Sequence, residues 1–400
     1  MLLSLIVYIG TALILFVLGK HLEMREQRYW LRTHRMLPFW QWEVILSILV
    51  FGVIAGARYN TGVDHLSYLG MYESLQQGVE HYRIKSGNIE IGYVYITRFF
   101  AQTLNAHYFY YFAFLAMVQI GFVYYALKDK KYLLPIVGAA IMMGPFFLSW
   151  MNGIRQIICC CCFIFLVNYI VERKPIHYVV WVLVCTLMHK SALILLPFYF
   201  IYLVRLPENK IINVSILLVC TLIGSSPTWI GVLGRVENIL LLLGYDAYAD
   251  KFDLIQSEAI RDVAWGPSRL GLFLLTILAI WFFPNTKEYF KGDKFLKYSF
   301  VLFFIGMCGY NLFVDTSHIF IRPFLYFRIF QVIIYPYVCL YLLNSKRYIF
   351  AFVFCFLLFY YSIYIVLKAG FYPSHLNEMQ LYHFFFDYNP IYEENPLYFR

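Results

Sequence analysis

Stretches of about twenty nearly uncharged residues recur along the chain, the length that carries an α-helix across the hydrocarbon core of a bilayer. Runs near 2–19, 40–57, 108–127, 132–149, 154–171, 176–188, 191–204, 211–224, 267–284, 296–314, 329–343 and 348–367 predict twelve such helices. Stretches such as Ile349 to Leu367 are apolar on every face. Strands of a membrane barrel alternate apolar and polar residues instead, so the pattern predicts an all-α, polytopic bundle. A further apolar stretch, 91–104, contains Arg98 and is separated from the next run only by Asn105, Ala106 and His107. It is expected to be re-entrant or interfacial, for a reason that comes from charge.

Basic residues cluster in the short connections between apolar runs, as they do in cytoplasmic loops. If the first loop (Lys20, Arg25, Arg28, Arg32, Arg35) is inside, and 91–104 does not cross, the other clusters also fall inside. These are Lys128, Lys130 and Lys131; Arg173 and Lys174; Arg205 and Lys210; Lys287, Lys291, Lys294 and Lys297; and Lys346 and Arg347. Together they hold 18 of the 32 Lys and Arg. A full crossing at 91–104 would put the Lys128 cluster outside and spoil the pattern. Segments 58–90, 225–266 and 368–400 are then external, both termini are external, and residues 1–400 read as one membrane domain.

Composition agrees: 62% hydrophobic, 21% aromatic and only 14% charged residues lie outside the range of soluble domains. The net charge of +9 would point to nucleic acid in a soluble protein, but here its distribution points to topology, and no nucleic-acid partner is expected. Of nine cysteines, four are consecutive, Cys159 to Cys162, and point around a helix where they cannot all pair. They read as buried thiols, without the second pair that a structural zinc site needs. Leu2 to Leu18 has neither a basic leader region nor a small-residue cleavage site, and is expected to remain as the first helix.

Ionisable residues near the bilayer are costly and usually have a function or a partner. Those placed at the outer side are few: Arg58, Asp64 and Glu90; Arg155 with Gln156 after the turn Trp150–Gly153; His189 with Lys190 and Ser191; and Asp315, Arg322 and Arg328. Each has a structural alternative. Arg58 at a helix end can snorkel, Asp64 can cap a helix or pair with Arg58, and His189 can bond a neighbouring carbonyl. Arg155 stands at the positive end of a helix dipole and needs a compensating anion. Several cations on one face with few carboxylates point to a phosphorylated ligand.

The set Arg58-x-x-x-Gly62-x-Asp64-x-x-x-Tyr68, Glu90-x-Gly92-Tyr93, Arg155-Gln156, Leu187-x-His189-x-Ser191-Ala192 and a late arginine, Arg322 or Arg328, resembles the EpsG family of Wzy-type polysaccharide repeat-unit polymerases. His65 is a departure from that pattern. The resemblance covers roughly residues 40 to 345. It implies joining of undecaprenyl-diphosphate-linked repeat units into exopolysaccharide, capsule or O-antigen, at the outer face of a bacterial inner (cytoplasmic) membrane. Its implied partners are those lipid-linked glycans, membrane lipid and a chain-length regulator protein.

The residues fit such chemistry. A diphosphate leaving group needs charge stabilisation, which Arg58, Arg155 and Arg328 can supply with Gln156 and Arg322 as further contacts. Asp64 is the preferred base for the attacking hydroxyl, with His189 and Glu90 as the others. Tyr59, Tyr68, Tyr72 and Tyr93 are candidates to stack on sugar rings. No carboxylate pair with metal spacing, phosphate loop or serine elbow appears, so no metal and no cofactor is expected. A glycan ligase would use similar substrates. A flippase should spread polar residues through a central cavity between matching halves, which the sequence lacks. The topology is open to test with an impermeant thiol probe on a cysteine-less background: Glu80→Cys should be labelled and Lys130→Cys should not, and the reverse result would overturn the orientation.

Overall fold

The structure, a computed structural model, describes residues 1–387 apart from 88, 227, 230–264, 316–317, 373, 375–376 and 378. The regular elements among the described residues are helices, and their one bridge of β type joins Arg58 to Phe384. Most of the external segment expected at 225–266 and the end of the tail lie outside the described residues. Contacts gather in two compact units, Met1–Ile158 with Phe359–Arg400, and Cys159–Leu358.

The first unit contains α1 (Leu2–Thr33), α2 (Trp42–Gly56), α3 (His65–Gln76), α4 (Tyr82–Lys85) and α5 (Ile91–Arg98), which continues into a π-helical turn, Phe99–Thr103. It goes on with α6 (Tyr108–Ala126), α7 (Leu134–Met143), α8 (Phe146–Met151) and the start of α9 (Ile154–Val171). The single run expected at 132–149 is thus two helices. They part at Gly144-Pro145, where Gly144 is extended (ψ −173°) and proline cannot continue the ladder.

Close backbone approach orders this unit, as small residues allow when lipid offers no hydrophobic driving force. α1 and α7 run antiparallel so closely that a Cβ at Gly19 would sit 2.6 Å from Pro135 N. α2 and α6 do the same, with Gly56 against the Phe109 carbonyl and Gly52 against Met117. At one end of these pairs the buried Glu43 takes bonds from Arg25 (2.7 Å) and His21 (2.8 Å). Lys131 there reaches Glu26 (2.6 Å) and the Leu37 carbonyl (2.8 Å). The first basic loop and the Lys128 cluster therefore share an end. At the opposite end α2 stops and α6 starts, and segment 91–104 both begins and ends there. Glu90 just before it meets Arg155 at the head of α9, and Ala106 just after it accepts a bond from the Tyr72 hydroxyl (2.6 Å). The segment returns to the end it left.

The second unit holds the rest of α9, α10 (Pro175–Thr186), a 3₁₀ helix Lys190–Leu203, α11 (Lys210–Gly224), α12 (Pro267–Tyr289), α13 (Lys294–Phe313), α14 (His318–Arg328), α15 (Gln331–Asn344) and the first part of α16 (Tyr348–Phe371). His318–Arg328, which lies between the apolar runs expected at 296–314 and 329–343, is helical. α14 folds back along α13, where a Cβ at Gly306 would meet Arg328 N at 2.6 Å. α14 and α15 are two apolar helices that meet at a bend of 40°.

Six described helices are long and apolar enough to cross a membrane, α1, α6, α9, α12, α13 and α16, with the bent pair as a seventh. Five shorter apolar helices occupy the other expected runs. One of these, the 3₁₀ helix, is longer than its 14 residues suggest, because a rise of about 2 Å per residue extends it to roughly 28 Å.

The glycine contacts carry a test. Gly19→Val and Gly56→Val, each forced against backbone, should lower the melting temperature in detergent by an amount equivalent to the 1–3 kcal/mol typical of overpacking, roughly. Gly10→Ala, with nothing within 4 Å of its Cβ, should leave the melt unchanged. Equal melting curves for all three would contradict the packing described.

Candidate functional site

Three segments distant in sequence meet at the end of the first unit opposite the Glu43 cluster: the loop after α2, the residue before α5 and the turn before α9. Gly62 and Asn152 explain their approach. Gly62 has φ +94°, open to glycine, and a Cβ there would lie 2.6 Å from Asn152 Oδ1. Asp64 then ties the two loops together, its carboxylate accepting the Gly153 N–H at 2.8 Å while its own N–H donates to Asn152 Oδ1 at 3.4 Å. A carboxylate here also faces the positive end of α9.

Arg155, in the first turn of α9, has the anion that its position requires. Its guanidinium pairs with Glu90, bonds the Tyr68 hydroxyl and lies over the Tyr93 ring with 5.6 Å to the centroid. Glu90 is buried at 7% exposure, so this pair is shielded from solvent screening. Tyr68 and Tyr93 pack with ring centroids 6.0 Å apart, and Tyr72 stacks near Tyr111. These three rings are buried rather than presented to solvent as sugar platforms. Burial, the larger effect, raises the Tyr68 hydroxyl above its ordinary value.

Arg58 has a different environment. It is wholly buried, and its guanidinium donates to two backbone carbonyls, Ala55 (Nη1, 2.6 Å) and Thr61 (Nε, 3.2 Å). Ala55 is one of the last residues of α2, whose terminal carbonyls lack helical partners and carry the negative end of the dipole. The cation therefore sits where a helix favours it. It lies over the Phe112 ring at 4.9 Å, and it has no carboxylate partner among the described residues. Its Nη2 has no hydrogen-bond partner. Asp64 does not pair with it. Burial lowers its pKa to about 10, still protonated at neutrality. Beside it His65, at the head of α3, is fully buried with neither ring nitrogen bonded, and burial with the nearby Arg58 charge holds its pKa well below 6.5.

A strap closes over this end. Residues 379–387 of the tail run antiparallel to the loop after α2, with Tyr59 N–H to His383 O (2.8 Å), Phe385 N–H to Ala57 O (2.9 Å) and Gly62 N–H to Met379 O (2.7 Å). Tyr382 is buried, its hydroxyl bonded to Ile54 O at 2.6 Å. Nothing in the aromatic tail marked it beforehand as part of this site.

The remaining candidates, Gln156 excepted, belong to the second unit. His189 is the N-cap of the 3₁₀ helix, and the neighbouring Ser191 bonds the Tyr326 hydroxyl at 2.9 Å. Of the two late arginines, Arg322 is exposed, whereas Arg328 ends α14 at the bend and lies over Tyr310 at 3.6 Å. Asp315 is held by Arg269 through both carboxylate oxygens (2.7 and 3.0 Å). Gln156 is buried in α9 of the first unit. Among the described residues no three His, Cys, Asp or Glu side chains gather where a metal could be held. Cys159 to Cys162 are buried and form no disulfide.

A polytopic helical protein with a cationic cluster at one end belongs to a broad class. The particular motif order narrows it: the chain belongs to the EpsG family, whose model matches residues 42–386. Membership implies a polysaccharide-polymerase role of glycosyltransferase type. No curated protein and no solved structure matches the chain.

His65 generates a pH prediction. In the folded protein it stays neutral below its ordinary value, while in the unfolded chain it takes up a proton below about 6.5, so the unfolded state binds more protons and stability falls on acidification. The loss should approach roughly 1.4 kcal/mol per pH unit below that value, as one proton per chain requires. Melting temperatures from pH 8 to pH 5 should drop less for His65→Gln than for the wild type, and parallel profiles would rule the effect out.

Proposed function

We propose that the protein polymerises undecaprenyl-diphosphate-linked oligosaccharide repeat units at the outer face of a bacterial inner membrane, within a bundle of about twelve crossings. The observation that carries this reading is the meeting of Arg58 and Arg155 with Asp64 at one end of the first unit, in a chain of the EpsG family. In the reaction a sugar hydroxyl of one lipid-linked unit attacks the anomeric carbon of another. The carbon–oxygen bond to the diphosphate breaks, the lipid diphosphate leaves, and the hydroxyl proton passes to a base.

Each residue has a role in this scheme. Arg58 offers its unbonded Nη2 to the leaving diphosphate, and Arg155 offers the edge of a guanidinium held in orientation by Glu90 and Tyr68. Asp64 is half-buried and has one carboxylate oxygen bonded to Gly153, which leaves the other to accept the proton. Glu90 is the weaker base candidate, because its charge already serves Arg155. His189, Arg322, Arg328 and Gln156 are further substrate contacts. A chain-length regulator is a further partner of this reading. Glycan ligation is the second reading, since it uses the same leaving group with a different acceptor.

Purified protein incubated with lipid-linked repeat units should yield a ladder of lengths on a gel, whereas a ligase would yield none without its separate acceptor. Arg58→Lys and Arg155→Lys keep the charge and lose the fork that matches phosphate oxygens, so ladder formation should fall by about 10²-fold or more while folding survives. Wild-type yield from both variants would reduce these arginines to structural roles. Ladder formation should also persist in excess chelator. Loss that magnesium or manganese restores would turn Asp64 and Glu90 into candidate ligands.

A further inference from the structure

We infer that the strap, residues 379–386, is a lid over Arg58, and that its opening controls whether an anionic ligand can reach that guanidinium. The inference rests on the polymerase reading only for the identity of the anion. It starts from a conflict. Arg58 carries an unbonded Nη2 and no carboxylate partner among the described residues, which suits it to bind an anion, yet none of it is exposed. A ligand as large as a phosphoryl group cannot reach a residue at 0% exposure unless something moves.

The strap is the covering element that lies outside the long helices. Its partners include the segment that bears Arg58: Phe384 bridges directly to Arg58, and the bonds from Tyr59, Phe385 and Gly62 flank it. Side chains add the rest. Thr61 Oγ1 donates to Leu381 O (3.0 Å) and accepts from His383 N–H (3.3 Å), while Ser4 Oγ accepts from Tyr382 N–H (2.9 Å) and the Tyr8 hydroxyl donates to Gln380 O (3.1 Å). The pairing is one isolated bridge and not a ladder, so it can part without unfolding a helix. α2 and α6, by contrast, hold the floor of the site through backbone contact at Gly56. The family match also ends at 386, so it takes in the strap and stops with it.

Modification by phenylglyoxal, read peptide by peptide in the purified full chain by mass spectrometry, measures the opening directly. Exposed Arg83 is the internal reference. Arg58 should react far more slowly than Arg83 in the wild type. Thr61→Val keeps the side chain's shape and removes both strap bonds made by the hydroxyl, so it should raise the Arg58 rate about tenfold without changing Arg83. Tyr382→Phe, which loses only the bond to Ile54 O, should act in the same direction. Equal rates at Arg58 and Arg83 in the wild type, or an Arg58 rate that neither variant changes, would overturn the lid. Inorganic diphosphate should slow modification of Arg58 in Thr61→Val. A faster rate without such protection would uphold the lid and count against the diphosphate reading of the function.

Discussion

A buried cation must be compensated, and the end of the first unit opposite the Glu43 cluster is organised by how its two arginines meet that demand. Arg58 follows the end of α2, where unpaired carbonyls and the dipole supply partial negative charge, and Ala55 O at 2.6 Å is such a carbonyl. Arg155 opens α9, where the dipole has the opposite sign, and only a formal anion will do. Glu90 supplies it. The same requirement explains why the residue before α5 must come to the head of α9, and hence why segment 91–104 starts and finishes at one end of the unit.

Compensation of this kind fixes loops as well as charges. Asp64 and Gly62 join the loop after α2 to the turn before α9, one through a carboxylate on Gly153 N–H and the other by leaving room for Asn152. With both loops held, the backbone of 57–62 presents unpaired groups, and the strap takes them up through Tyr59, Gly62 and Phe385. An unsatisfied backbone group in such a place is costly, so a tail that supplies partners favours the closed position, with its Met379 and Tyr382 side chains buried.

How much of this was legible in the sequence follows from which forces write themselves into composition. Apolar runs and basic loops reflect transfer energies that act residue by residue, and so the helices and the grouping of Lys131 with the first basic loop could be read directly. Arg58, Asp64, Glu90 and Arg155 could be chosen because charge near lipid is rare. Their pairing could not, since Glu90 lies 65 positions from Arg155 and no local period links them. The strap was invisible for a related reason: backbone hydrogen bonds carry no side-chain signature. The fold-back of α14 along α13 depends on Gly306 and Gly309, which read in isolation as ordinary membrane glycines. The break at Gly144-Pro145 carried a signal that the strength of the surrounding apolar run outweighed.

The two arginines differ finally in what they have left to give. Arg155 is committed to Glu90 and Tyr68, so a ligand that draws on its charge must compete with a buried carboxylate, and the pair is suited to orienting an oxyanion more than to neutralising it. Among the described residues, Arg58 is balanced by dipoles and an aromatic face, which weaken little when a formal anion arrives. Its full charge remains available, at the cost of being shut away behind the strap. A diphosphate leaving group gains negative charge as its bond breaks, and the cation without a carboxylate partner is the one whose interaction grows with that charge. In the proposed reaction Arg58 would stabilise the transition state, while Arg155 and its partners would set the geometry in which that state forms.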